Sequence, residues 1–349
     1  MIEGLYWVQT RMDSNPSVGH MGVAVEGQEG HDPGICNEDS DRTHPSRKWL
    51  EAGLTLPPIS PYGPQTRYFE IFHRGTVGFD WELKPQHSWI NVSQSSGTLN
   101  PQDSDVRIVV TIDWAEVPAG FDEKTYIEVI GSVDGYEQVR LVVQNREAPD
   151  KFTGFVEAVD YVSIHPGNWA AAPYIRLPAL GRQDPGSVIL SSDTDFKNPD
   201  EIPYLRYDIY TFTDHEETNL ELHFNMTLET DPNSFMEYDV RWDDGPTQRY
   251  RLTEDSDSGY FPLGWSDAVR DCVWKNRHGL GSIAAGSHVL EVKFRNPNMS
   301  LEKVVVDLGA IDMTYLGPPE STYVSHAQDS REEVREVSEE DVLQIDLQL

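Results

Sequence analysis

Two carboxyl groups flanking a glycosidic bond, one protonated and one ionised, can cleave it. Asp243-Asp244 is a conspicuous adjacent pair, but Gly245 follows it. Asp-Gly is what a tight hairpin turn requires sterically, so turn chemistry accounts for these residues. With 59 Asp and Glu in the chain, other close pairs arise without design. There is no Gly-x-Ser-x-Gly elbow, no His-Glu-x-x-His zinc helix and no phosphate loop. The residues therefore assign no catalytic site and call for no cofactor. Asp193 and Asp195, and Asp255 and Asp257, have a loop spacing that suits calcium. Neither pair extends into the ligand series of an EF-hand, and polar loop chemistry is the better reading. His165, His223 and His288 are too dispersed to point to a metal, and none is assigned.

A second chemistry is sugar recognition, in which an aromatic face lies against the apolar side of a pyranose while amides and carboxylates hold its hydroxyls. Trp169, Tyr174, Tyr260, Phe261, Trp265 and Trp274 fall in loop-like stretches, and Asn168 and Asn276 neighbour two of them. Trp169, Tyr174, Tyr260, Trp265, Trp274 and Asn276 form the candidate carbohydrate-binding set. The competing reading puts Trp265 and Trp274 in a core or a domain interface, because large aromatics are on average well buried. Trp81, Trp89 and Trp114 read as core.

The elements that must carry these residues are strands. From Val106 to Trp114, Val106, Ile108, Val110, Ile112 and Trp114 alternate with Arg107, Thr111 and Asp113, and Val139, Leu141 and Val143 repeat the period of a half-buried strand. Turn signals at Ser96-Gly97, Pro118-Ala119-Gly120 and Asp134-Gly135 separate such runs. They delimit a small sandwich at 66–147. Beyond it, Leu220, Leu222, Phe224, Met226 and Leu228 face one way, while Glu221, His223, Asn225 and Thr227 face the other. Further strands are expected at Tyr204–Phe212, Met236–Trp242, Val289–Phe294 and Lys303–Leu308. No βαβ rhythm occurs, so the fold class is all-β, with two consecutive β-sandwich domains, the second at 148–320. Residues 1–65 read as a connector with one short helical piece near Trp49–Ala52. Residues 321–349 read as an acidic, solvated tail, with disorder favoured over a marginal helix across Glu332–Leu343.

A formal net charge of −32 repels phosphate backbones and anionic headgroups, which argues against nucleic-acid and membrane partners. A neutral sugar polymer is easier to approach. Cys36 and Cys272 are the only cysteines and make no disulfide framework. The stretch from Met1 to Trp7 lacks the basic and apolar regions of a secretory signal, and no stretch suits a membrane span. Three sequons begin at Asn91, Asn225 and Asn298, weak support for an extracellular parent.

Three groups of motifs together resemble the C-terminal part of glycoside hydrolase family 115. The first is Met21-Gly22-Val23-Ala24-Val25-Glu26-Gly27, similar to the linker after the family's helical domain, with Trp7 to Met12 as a loose remnant of that domain. The second is Tyr62-Gly63-Pro64-Gln65-Thr66-Arg67-Tyr68 with Phe79-Asp80-Trp81 and Trp89-Ile90. The third runs from Gly154-Phe155-Val156-Glu157-Ala158 through Pro178-Ala179-Leu180-Gly181-Arg182 to Tyr315-Leu316-Gly317-Pro318-Pro319-Glu320-Ser321. The resemblance implies a xylan α-glucuronidase parent, secreted, whose catalytic barrel and helical domain are this chain's partners. The barrel needs alternating strands and helices that this sequence lacks, so no catalytic residue carries over. The small sandwich is expected to be Ig-like. The larger one also looks broadly like a galactose-binding jelly roll, which keeps a carbohydrate-binding module for xylan or glucuronoxylan as the alternative. A homodimer is left open.

Overall fold

The computed structural model describes residues 21–26, 54–73, 75–132, 136–191, 198–229, 235–254, 261–309 and 315–325. The chain divides into two compact units, Met1–Glu147 and Ala148–Leu349. Both are all-β, as the alternating patterns predict.

In the first unit, β1 (Met21–Val25), β2 (Thr66–His73), β6 (Val106–Ile112) and β4 (Ile90–Val92) form one sheet in that order. A second sheet is ordered β5 (Ser96–Leu99), β3 (Phe79–Pro85), β7 (Asp122–Gly131) and β8 (Tyr136–Gln144). Alternate residues point inward, so Phe69, Ile71, Ile108 and Val110 meet Trp81, Leu83, Ile127, Val129, Val139, Leu141 and Val143 in one core. Trp81 and Trp89 are buried as expected, and Trp114 packs on the rim of this core.

The connector expected at 1–65 is corrected by its described parts. β1 pairs antiparallel with β2, with Val23 opposite Ile71, and Met21, Val23 and Val25 are core residues. Leu54, Leu56 and Ile59 are buried as well, and the backbone N–H groups of Leu56 and Ile59 donate to Arg140 and Val142 along β8. These apolar runs are too short to show a period, and the partners that bury them lie far away in sequence. Residues 49–53 lie outside the described part of the chain.

The second unit also stacks two sheets. One is ordered β11 (Tyr174–Leu177), β12 (Ser187–Leu190), β19 (Ser300–Asp307), β14 (His215–Asn225) and β17 (Val273–Ile283), with β10 (Tyr161–Ile164) also paired to β19. The other is ordered β16 (Gln248–Arg251), β15 (Glu237–Trp242), β18 (Gly286–Phe294), β13 (Leu205–Thr211), β9 (Gly154–Val156) and β20 (Tyr323–Val324). A short helix, α1 (Trp265–Asp271), leads into β17. Leu220, Leu222 and Phe224 of β14 interlock with Leu290, Val292 and Phe294 of β18 in the core. The Asp243-Asp244-Gly245 turn forms where expected and joins β15 to β16.

Two expectations change here. The polar face of β14 is not solvated, because Glu221, His223 and Asn225 are all buried. The unit also does not end at residue 320, since β20 pairs with β9 before the tail, whose residues 326–349 lie outside the described part.

Candidate functional site: a charged network on the outer face of a sheet

The face of β14 and β19 turned away from the core carries a cluster of ionisable groups. Their arrangement begins with a β-bulge. His223 pairs with Lys303 and Phe224 with Leu301, so Glu302 is an extra residue on β19. Leu301 and Val304 point into the core, and the consecutive Glu302 and Lys303 both face outward, as a bulge allows.

Arg182, in the loop between β11 and β12, lies over this face. Its Nε donates to Glu302 Oε1 at 2.5 Å, its Nη1 to the Tyr315 carbonyl at 2.5 Å, and its Nη2 to His223 Nδ1 at 2.9 Å. The Arg182 backbone N–H adds a bond to Glu302 Oε2 at 3.0 Å. Because Arg182 can only donate, His223 Nδ1 accepts, and the ring proton sits on Nε2, which donates to Glu221 Oε1 at 2.6 Å. The ring is therefore neutral. Burial holds its pKa below the usual histidine value even though Glu221 pulls the other way.

Lys303 completes the cluster. Its Nζ donates to Gln183 Oε1 at 2.7 Å, to the Leu316 carbonyl at 2.6 Å and to the Pro318 carbonyl at 3.0 Å. An ammonium has three donors, and all three are satisfied. Burial, reinforced by the Arg182 charge, lowers its pKa to about 8. Gly317 passes directly over the network with φ +73, and a Cβ there would stand 3.3 Å from Lys303 Cδ and 3.4 Å from His223 Cε1. A glycine is needed both for that φ and for that approach.

The rest of the segment is tied down by Glu320. Its carboxylate accepts from the His165 N–H at 2.9 Å, Trp169 Nε1 at 3.3 Å and Asn168 Nδ2 at 3.2 Å. Ser321 N–H donates to the Ser163 carbonyl at 2.8 Å, and Ser163 Oγ donates to the Pro318 carbonyl at 3.1 Å. Residues 315–321 are thus a clasp fastened across the sheet.

Among the described sugar-binding candidates, the structure brings Trp265 and Trp274 together, their ring centroids 5.9 Å apart, and gives the others separate packing partners. Tyr174 is buried on β11, where its hydroxyl donates to the Pro203 carbonyl and accepts from Phe294 N–H. Trp274 is also buried, its Nε1 donating to the Thr227 carbonyl at 3.0 Å. Asn276 Nδ2 is held by Tyr238 Oη and the Leu252 carbonyl, both at 2.9 Å. Trp169 packs against Phe155 and Tyr323 and serves the clasp. These four residues are corrected to packing and bracing roles, because their local stretches, loop-like in sequence, are covered by distant strands. Trp265 remains half-buried at the start of α1, its ring parallel to that of Phe261 at 5.3 Å, and Phe261 is 54% exposed. Tyr260, Asp193, Asp195, Asp255 and Asp257 lie outside the described residues.

The sequence does not show these residues as a set. Arg182 and Glu320 belong to motifs that carried the resemblance, and that was the available signal. Nothing local brings Glu221, His223, Glu302 and Lys303 beneath them.

Fold and network together define an all-β sandwich domain braced by buried ion pairs. Residues 154–320 match the glycosyl hydrolase family 115 C-terminal domain. No curated protein sequence matches the chain. Among solved structures, a family GH115 4-O-methyl-α-glucuronidase with specificity for decorated arabinogalactans is similar over 47% of this chain and 19% of its own, at 14% identity and TM-score 0.32. The chain thus spans about a fifth of that enzyme. A GH26-CBM35 β-(1,4)-mannanase from Podospora anserina is similar over 44% of this chain and 28% of its own, with 11% identity and TM-score 0.28. For a Bacteroides ovatus GH5 xyloglucanase the values are 44%, 31%, 14% and 0.22.

Proposed function

We propose that this chain is the non-catalytic C-terminal region of a family 115 xylan α-glucuronidase, working in the assembly of that enzyme with its catalytic and helical domains. The observation that carries this reading is the commitment of the clustered carboxylates. Glu221 is bonded to His223, Glu302 to Arg182, and Glu320 to His165, Asn168 and Trp169. A glycosidase acid and base must instead face each other across room for a sugar. The motifs that resemble the family end as cross-braces, which is what an assembly domain requires of its most distinctive residues.

Purified alone, the chain should release no glucuronic acid from glucuronoxylan or aldouronic acids above a buffer control. Release that a single carboxylate substitution abolishes would overturn the proposal. A second reading, contact with plant cell-wall polysaccharide, is favoured by the parallel Phe261 and Trp265 rings, of which Phe261 is 54% exposed. The two readings are compatible.

A further inference from the structure

We propose that Asn91 and Asn298 are N-glycan acceptors of this chain and that a chain carrying a glycan on Asn225 cannot complete this fold. All three begin Asn-x-Ser/Thr sequons, so sequence does not distinguish them. In the modification, the asparagine amide nitrogen attacks C1 of a lipid-pyrophosphate-linked oligosaccharide. A C–N bond forms, the C–O bond to pyrophosphate breaks, the lipid pyrophosphate leaves and the amide gives up one proton. The product needs an asparagine side chain with open space beyond its nitrogen.

Asn91 has that space. It is the exposed central residue of β4, flanked by the buried Ile90, and Ser93 of its sequon is exposed too. Among the described residues β4 ends its sheet, so a glycan there would stand beside an open strand edge, a position where bulk discourages edge-to-edge association. Asn298 lies at the exposed tip of the turn between β18 and β19. Met299 beside it is buried and anchors the turn.

Asn225 is only 9% exposed, and its Nδ2 donates to Ser300 Oγ at 2.9 Å. Ser300 is the hydroxyl residue of the Asn298 sequon, and its Oγ also meets Ser187 Oγ at 2.6 Å. The two sequons are therefore interlocked. A glycan on Asn298 leaves the Ser300 hydroxyl intact and points outward from the turn. A glycan on Asn225 would sit between β14 and its neighbours and displace the buried chain Asn225–Ser300–Ser187. Since Ser300 is buried in the folded unit, transfer to Asn298 must precede the docking of β19.

The test is secretion of the full chain behind a cleavable leader from a eukaryotic host, followed by enzymatic glycan removal in heavy-oxygen water and peptide mapping. The label should appear at Asn91 and Asn298 and be absent from Asn225. Asn91→Gln and Asn298→Gln should each remove one glycan from the gel mobility pattern, and the double variant both. Secreted chain labelled at Asn225, or unlabelled at Asn91 or Asn298, overturns the proposal. Mapping chain imported into microsomes reads acceptor use regardless of export, and lack of transfer to Asn91 or Asn298 there overturns it equally.

Discussion

Lys303 and Arg182 show how a buried cation is tolerated. Lys303 matches three N–H donors to three oxygens, and Arg182 joins Glu302, His223 and the Tyr315 carbonyl through its planar fork. Removing one partner of a buried pair leaves the other charge without compensation, whereas removing both leaves little behind. Arg182→Met should therefore cost about 3–5 kcal/mol of stability. Arg182→Met with Glu302→Leu should recover part of that loss, since the stranded carboxylate is gone. Urea unfolding of the two variants checks this, and a double variant less stable than Arg182→Met would contradict it. Arg182 stood in a motif plain to read, but its partner Glu302 was indistinguishable among 59 acidic residues, because a bulge is a relation between two strands rather than a property of one.

At the scale of elements, alternation identified β6, β8 and the inward side of β14, where one face is apolar and the period is two. It misjudged the outer side of β14, which would be solvated if no loop crossed it. The helix α1 has a different standing. Its first residue, Trp265, stacks with Phe261 at the surface while Trp274 closes the core behind it. If the exposed Phe261 and the half-buried Trp265 bind polysaccharide, Phe261→Ala should abolish retention on insoluble xylan. It should shift stability by no more than about 0.5 kcal/mol, the usual effect of a surface change. Unchanged retention in both Phe261→Ala and Trp265→Ala would remove the sugar-binding reading and leave assembly by itself.

For the whole molecule, acid is the informative perturbation. Burial lowers the pKa of His165, His223 and His278, the last to about 4. Below the ordinary histidine value of 6.5 the unfolded chain takes up protons that the folded His278 refuses until pH is near 4, so stability falls as pH drops through that window. The net charge of −32 acts in the opposite direction, because protonating carboxylates relieves self-repulsion. The two effects separate by comparison. Denaturant midpoints of His278→Gln should decline less steeply than those of the parent over this range. The amide can keep the bond to Tyr238 Oη, 2.8 Å away in the parent, but has no proton to gain. Equal slopes would show that His278 does not contribute.

Periodicity and turn chemistry in the sequence determined the all-β class, the strands β6, β8, β13, β14, β15, β18 and β19 and the Asp243-Asp244-Gly245 turn, because each depends on neighbours within a few residues. Its motifs pointed to the family of the second unit. Only tertiary structure decided that Met21–Val25 is a sheet strand, that Tyr174 and Trp274 are interior, that Arg182 meets His223 and Glu302, and that Lys303 lies beneath the Leu316 and Pro318 carbonyls. Burial and ion pairing are set by segments more than a hundred residues apart, such as Arg182 and Glu302, which are 120 positions apart. Such proximity leaves no trace in local pattern, since the physical cause is the crossing of strands and loops rather than the character of any one of them.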